Sequence, residues 1–127
     1  MDTASFLDRL KGQPWYRGQV VHVQPIAPRA ARYASLDRPL PSALSAALET
    51  LGIRRLYSHQ AQAVNALRAG ANVIVCTPAA SGKTLCYNLP VLETLLAEKG
   101  ARALYLFPTK ALAQDQLRAL HGLTSAA

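Results

Sequence analysis

The stretch CTPAASGKTLCYNLP, Cys76–Pro90, decides the fold, because it places a Gly-Lys-Thr tripeptide where the hydrophobic pattern changes. The run NVIVC before it, Asn72–Cys76, is short, apolar and β-branched, which is typical of a buried strand. From Lys83 to Lys99 the pattern is helical, and Gly100 is placed to end that helix. A strand that turns into a helix through a glycine-containing loop is the setting of a phosphate-binding loop.

The residue types in this loop suit a nucleotide. Gly82 lets the backbone approach phosphate oxygens, and the amide groups at the start of the following helix point at the same anion. Lys83 offers a positive charge to the β and γ phosphates, and Thr84 offers a hydroxyl to the bridging magnesium ion. The strict motif has a glycine five positions before Gly82, where Thr77 stands. An ordinary strand-to-helix turn with a surface lysine therefore stays an alternative.

The segment after this helix completes a β-α-β unit. ALYLF, Ala103–Phe107, is a continuous apolar run, which indicates a strand covered on both faces in a parallel sheet. Pro108 and Thr109 lead into a last helix, Lys110–His121, with Thr109 as a good N-cap. The crossover should be right-handed. We therefore expect an α/β fold with a parallel β-α-β core that carries the phosphate loop.

The first 41 residues are organised differently. A short helix is predicted from Ala4 to Lys11 and a strand-like run from Val20 to Val23, after which prolines interrupt any regular element. The sequence thus predicts a helix and an extended Pro-rich arm in residues 1–41. Residues 42–127 are predicted to form a second part of the chain, which carries the phosphate loop.

Two helices are expected between the arm and the loop. After Pro41, three leucines share one helical face, and Gly52 is placed to end that helix in a left-handed cap. The three leucines are Leu44, Leu48 and Leu51. A second helix is predicted to run from an N-cap at Ser58 to Arg68, with Gly70 closing it.

Composition limits the function classes. Fourteen Lys and Arg against seven Asp and Glu give a formal charge of +7, which favours a polyanionic partner, although dispersed charge is often only a solvated surface. No apolar run reaches the roughly 18–20 residues that span a bilayer, so we expect no membrane partner and a cytoplasmic location. Cys76 and Cys86 lie in apolar sequence, which predicts reduced core thiols and no metal site.

Three blocks in order resemble the start of a superfamily-two, DEAD/DEAH-box helicase. LYSHQAQAVNAL (Leu56–Leu67), the Gly-Lys-Thr loop and LYLFPTKALAQDQ (Leu104–Gln116) match its adenine-reading glutamine motif, its phosphate loop and its first strand-contacting motif. The wording of these blocks is most similar to the branch that carries a C-terminal zinc-binding domain and acts on DNA, which includes the mitomycin-repair helicases. The resemblance covers about Val20–Leu120. It implies an incomplete P-loop NTPase (RecA-like) motor domain, in which residues 42–127 would be the first part of the helicase ATP-binding domain, truncated before the Asp-Glu motif.

The resemblance also implies a site for ATP and magnesium. Gln60 would recognise adenine by hydrogen bonds to the N6 and N7 atoms of the base. Lys83 and Thr84 would be the catalytic residues, and Thr84 would also bind the magnesium ion. The residues that would bind the nucleotide are Tyr57, Gln60, Ala79, Ala80, Ser81, Gly82, Lys83, Thr84 and Leu85. Ala80 stands where the family usually has glycine, which tightens the conformational demands on the loop. A surface glutamine at position 60 and a core tyrosine at position 57 are the alternatives.

A second implied site would hold the sugar-phosphate backbone of a single strand, DNA more than RNA. Its residues would be Pro108, Thr109, Lys110 and Gln114. A helix N-terminus attracts phosphate and Lys110 adds a charge there, although an N-cap beside a solvated lysine is the alternative.

Hydrolysis by this family also requires an Asp-Glu strand end and arginines from a second motor domain. Neither is found in the sequence, since Asp115 falls inside the last predicted helix and Glu93 and Glu98 fall on the crossover helix. We therefore expect the N-terminal fragment of an ATP-dependent DNA helicase, inactive alone. The alternative is a short motor-derived nucleotide-binding or interaction protein without ATPase activity. A P-loop kinase or GTPase is disfavoured, because Gln60 and the Pro-Thr-Lys block have no role there.

Overall fold

The computed structural model describes residues 2–126, and within them the chain forms five helices. These are α1 (Thr3–Lys11), α2 (Ser42–Thr50), α3 (Ser58–Arg68), α4 (Thr84–Ala97) and α5 (Lys110–Ala126). The chain divides into two compact units after Ala30. The sequence grouped residues 31–41 with the N-terminal arm, whereas the structure groups them with the larger unit.

The smaller unit contains α1. This helix begins at Thr3 because the Asp2 side chain accepts a hydrogen bond from the Ser5 amide at 2.8 Å, and it lies within one residue of the predicted bounds. The strand-like run expected at Val20–Val23 forms no strand. Within this run Val21 is 92% exposed, which a covered strand residue would not be.

The larger unit is built on a leucine-rich core shared by α2, α3, α4 and α5. Leu44 and Leu48 of α2 are buried as predicted, but Leu51 is 46% exposed. The reason is that α2 ends at Thr50, and the chain then reverses at Gly52, whose φ of 75° is the predicted left-handed cap. The fully or largely buried apolar residues of this core are Leu44, Ala47, Leu48, Leu56, Ala61, Val64, Leu85, Leu89, Leu92 and Leu123.

A buried ion pair joins α3 to α4 and holds the preceding segment. The Arg68 guanidinium Nε donates to Glu93 Oε2 at 3.0 Å, and its Nη1 donates to the Arg38 carbonyl at 2.7 Å. The two side chains are only 7% and 12% exposed. Because Arg68 has a fixed fork of donors, this one residue links the end of α3 to α4 and to the chain at Arg38.

The parallel β-α-β core expected from the sequence is not formed. Residues 2–126 contain no strand, and the described β-pairing is a single antiparallel bridge between Tyr33 and Tyr57. The predicted strands 72–76 and 103–107 are irregular, and their exposed side chains are Ile74 (91%), Leu104 (84%) and Leu106 (83%).

Both runs nevertheless alternate in burial. Val73, Val75, Tyr105 and Phe107 are partly covered, while the residues between them are exposed. The expectation of coverage on both faces was therefore wrong for these residues, since α4 and α5 cover one side only. Parallel strands are stabilised by paired neighbours and by layers on both faces, which two isolated runs lack.

The same alternation explains the exposure of one of the two cysteines, Cys76. Cys86 is buried in α4 as predicted, but Cys76 is exposed, which corrects its prediction as a core thiol. Cys76 falls on the uncovered side of its run.

Between residues 2 and 126, no helix is long and apolar enough to cross a membrane.

Candidate nucleotide and nucleic-acid site

The loop between the first irregular run and α4 turns twice through left-handed backbone. Gly82 has φ 78° and Ala80 has φ 57°, a conformation that costs a non-glycine residue about 1–2 kcal/mol. The Thr77 and Ser81 hydroxyl oxygens lie 2.6 Å apart and close the loop with a hydrogen bond. The strict motif has a flexible glycine at position 77. Here Thr77 instead stabilises the loop through its side-chain hydrogen bond to Ser81.

Lys83 folds back into this loop. Its Nζ donates to the carbonyl oxygens of Thr77 at 2.9 Å and Pro78 at 2.7 Å, and lies 3.5 Å from the Ser81 hydroxyl. These neutral oxygens use the three donors that an ammonium group has. A phosphate oxygen at the same place would be a charged acceptor, and charge-assisted hydrogen bonds are roughly twice as strong as neutral ones. The ammonium group is therefore held where a polyphosphate could take over its hydrogen bonds.

Gln60 braces the loop from α3. It is 2% exposed, its Oε1 accepts from the Tyr57 amide at 2.8 Å, and its Nε2 donates to the Gly82 carbonyl at 2.8 Å. The first contact caps α3, whose N-cap is Tyr57 and not the predicted Ser58. A Cβ added to Gly82 would lie 2.6 Å from Gln60 Nε2. Both the contact with Gln60 and the positive φ therefore require glycine at position 82. The sequence motif did not predict this contact between Gln60 and the loop.

The predicted adenine contact of Gln60 stays a prediction. Each of its two polar atoms has one interaction in use, which leaves one N–H and one oxygen lone pair for a ligand. Reading N6 and N7 of adenine requires one acceptor and one donor, so the number of free groups is sufficient.

An aromatic pocket of ≈ 380 Å³ lies beside Gln60 and Gly82. The Tyr57 ring stacks on Tyr33 with centroids 5.3 Å apart, and the Arg55 guanidinium lies 4.2 Å above the Tyr33 ring. Leu85, the last residue of the predicted nucleotide set, lines the same pocket although it is largely buried. Tyr33 and Arg55 were missed, because Tyr33 belongs to the proline-interrupted arm and no motif includes either residue.

Thr84 contacts α5. Its Oγ1 donates to Gln116 Oε1 at 3.2 Å, and the Tyr87 hydroxyl donates to the same oxygen at 2.7 Å. Nearby, the Tyr105 hydroxyl donates to the buried Asn88 Oδ1 at 3.1 Å, and burial raises the pKa of Tyr105. The sequence motifs predict no role for Gln116, and its only signal in the sequence is its place as the last residue of the LYLFPTKALAQDQ block.

The predicted strand-contacting residues lie together at the start of α5. Pro108, Thr109, Lys110 and Gln114 are all exposed. The Thr109 hydroxyl accepts from the Leu112 amide at 3.2 Å, which confirms Thr109 as the N-cap. Ala79 and Ala80 are exposed in the phosphate loop, so neither blocks access to it.

A lysine held in a left-handed loop that opens a buried helix, with a glutamine bracing that loop from the preceding helix, defines a phosphate-loop protein. The model of the DEAD/DEAH box helicase family matches residues 57–127, and the chain belongs to that family. The resemblance found in the three sequence blocks is confirmed. By family and by structural likeness, the larger unit is part of a RecA-like helicase domain.

Related proteins are helicases. The chain is 48% identical over 97 residues to the uncharacterized ATP-dependent helicase YprA of Bacillus subtilis, and 41% identical over 124 residues to the ATP-dependent helicase hrq1 of Schizosaccharomyces pombe. The crystal structure of the DUF1998 helicase MrfA bound to DNA and AMPPNP superposes with a TM-score of 0.80 at 40% identity.

These matches cover most of this chain and little of the relatives. The matches to YprA, hrq1 and MrfA cover 76%, 94% and 99% of this chain, respectively. The same matches cover only 13%, 12% and 17% of the lengths of those three proteins.

Proposed function

We propose that this chain supplies the nucleotide-binding part of an ATP-dependent DNA helicase. The observation that carries the proposal is the loop geometry, with Lys83 Nζ held at 2.9 and 2.7 Å from two loop carbonyls and Gln60 bracing Gly82. A lysine placed in this way binds the β and γ phosphates of a nucleotide. The relatives named as ATP-dependent helicases support ATP as the nucleotide.

The residues present fit ATP and magnesium. Lys83 and Ser81 would face the phosphates, and Thr84 would hold the magnesium ion through its hydroxyl oxygen. Magnesium, when bound, neutralises charge on the β and γ phosphates. The base would enter the pocket beside Gln60, against Tyr57 and Tyr33, because aromatic faces favour stacking with a nucleobase.

The partner we propose is single-stranded DNA, held by its backbone at the start of α5. Thr109 caps the helix, Lys110 is its first residue, and both are exposed. Backbone contacts of this kind carry no base-sequence information, which suits a translocating motor. The choice of DNA is supported by the MrfA complex, which contains DNA. A cytoplasmic location is also proposed, and fractionation of source cells would test it.

We further propose that the runs 72–76 and 103–107 are parallel strands in the intact protein. Their side chains alternate in burial with a period of two, as strand residues do. Slow amide exchange at both runs in the intact protein would support this assignment, and exchange as fast as in an unstructured peptide would exclude it.

The test of nucleotide binding is Lys83→Ala in the intact native protein, titrated with a fluorescent ATP analogue. We expect the affinity to fall by more than about tenfold, since a charge-assisted contact contributes about 1.5–3 kcal/mol. Lys99→Ala is the matched control, because Lys99 is an exposed lysine just beyond the other end of α4, and it should bind like the unaltered protein. Equal affinities in the two variants would refute the phosphate-loop assignment.

The test of strand binding is salt dependence. The affinity for a single-stranded oligonucleotide should fall with a log-log slope of about −0.7 for each phosphate contact. Lys110→Ala should make that slope shallower by about 0.7. A response independent of salt would count against contact with a nucleic-acid backbone.

A further inference from the structure

Gln116 joins the two halves of the proposed site. It lies on α5, and its Oε1 accepts hydrogen bonds from the Thr84 hydroxyl at 3.2 Å and the Tyr87 hydroxyl at 2.7 Å, both on α4. In the structure, the Thr84 hydroxyl thus donates its hydrogen bond to a residue of α5. Gln116 and Thr84 also line one pocket together with Lys83.

The direction of the Thr84 hydroxyl decides what it can bind. A hydroxyl has one proton and two lone pairs, and hard cations such as magnesium bind oxygen lone pairs. Because the Thr84 hydroxyl donates its hydrogen bond to Gln116, both lone pairs of its oxygen stay available to a cation. The Thr84 hydroxyl would donate more strongly to Gln116 if a cation were bound to its oxygen, because the cation would polarise the O–H bond.

We propose that Gln116 is a positioning residue that orients the Thr84 hydroxyl for the nucleotide-bound magnesium ion and links its occupancy to α5. This inference rests on the proposed function. Gln116 is six residues along α5 from Lys110, about 9 Å at 1.5 Å per residue. A cation that strengthens the Thr84–Gln116 bond therefore favours one placement of the helix that carries the strand-contacting residues. Because such coupling is reciprocal, a bound strand should tighten magnesium-nucleotide binding by the same factor.

The first experiment measures how much magnesium improves nucleotide binding. The intact native protein is titrated with a fluorescent ATP analogue in Mg²⁺ and in EDTA. In Gln116→Met, which keeps the side-chain length without the amide, we expect the improvement due to Mg²⁺ to shrink by roughly fivefold to tenfold, the scale of one hydrogen bond. Binding in EDTA should stay within about twofold. Gln116→Glu retains an acceptor and should retain the improvement.

The matched control is Gln62→Met, because Gln62 is an exposed glutamine on α3 and should leave both titrations unchanged. Tyr87→Phe removes the other donor to Gln116 and should leave most of the magnesium effect. If Gln116→Met does not fold, Gln116→Leu is used in its place. A Gln116 variant that weakens binding equally in Mg²⁺ and EDTA, without recovery in Gln116→Glu, would show a structural role only and would overturn the proposal.

The second experiment measures the link to the strand. Anisotropy of a labelled oligothymidylate gives its affinity with and without the magnesium-nucleotide, and the ratio of the two affinities is the coupling factor. In Gln116→Met this factor should move towards one, with oligonucleotide affinity in the absence of nucleotide unchanged. An unchanged factor would overturn the inference while leaving the proposed function intact. Failure of the unaltered protein to bind either ligand would overturn the proposed function itself.

Discussion

Gly82→Ala should destabilise the region around the loop well beyond the cost of placing alanine at a positive φ. The substitution adds a Cβ that would lie 2.6 Å from Gln60 Nε2, so the brace between Gln60 and the Gly82 carbonyl must break or shift. Gln60 is only 2% exposed, so water can replace the lost contact of its amide only poorly.

The magnitude follows from two separable terms. Alanine in the left-handed region costs about 1 kcal/mol relative to glycine. A buried amide that loses its partner costs a further 1–3 kcal/mol or so. Together they give a loss of about 2–4 kcal/mol at Gly82. Gly70→Ala is the matched control, because Gly70 has φ 81° but nothing within 4 Å of an added Cβ, so only the first term applies.

Amide hydrogen exchange of α3 and α4 in the intact protein measures the free energy of local opening for each variant. The loss in Gly82→Ala should exceed the loss in Gly70→Ala by about 1–3 kcal/mol. In a Gln60→Ala background, Gly82→Ala should cost no more than Gly70→Ala, because the obstructing amide is gone. Equal losses at the two glycines in the unaltered background would refute the brace.

Two further predictions concern the loop and the thiols. Ala80 has φ 57°, so Ala80→Gly should relieve about 1–2 kcal/mol of strain, offset by about 0.5–1 kcal/mol of chain entropy, and a drop in the opening free energy would contradict this. Burial raises the pKa of Cys86, so at neutral pH iodoacetamide should modify the exposed Cys76 first, as peptide mass spectrometry would show. Because the unfolded thiol loses its proton first, Cys86 should lower stability as the pH rises past about 9. Equal labelling of the two thiols would contradict the burial of Cys86.

The helices were predictable because their signals are local. Gly52 and Gly70 end α2 and α3 with positive φ as their sequence positions indicated, and Thr109 caps α5. The predicted end of α5 at His121 was too early, since the helix runs to Ala126. Helix ends without a glycine or proline stop are set by packing, and the buried Leu123 supplies that packing here.

The two strands are not confirmed in the described residues, because strand formation depends on distant partners. The apolar run at 103–107 indicates what a strand would bury, but Leu104 and Leu106 are exposed when no layer covers that side. The same dependence on distant residues hid part of the site. Gln60 contacts Gly82 across 22 positions of the chain, and Gln116 contacts Thr84 across 32 positions. A local sequence motif does not predict contacts between residues so far apart.

The folded-back Lys83 also bears on which small molecules the loop can discriminate. Two carbonyl oxygens already satisfy the ammonium group, at 2.9 and 2.7 Å. A nucleoside without phosphates offers that ammonium group nothing better, and it must rely on the aromatic pocket alone. A polyphosphate offers charged oxygens to the same donors, and its hydrogen bonds to Lys83 would be stronger than those that the carbonyl oxygens make. If the loop binds nucleotides as we propose, it should therefore favour ligands that carry phosphate over ligands that do not, because only a charged oxygen competes well with the carbonyl contacts already made by Lys83.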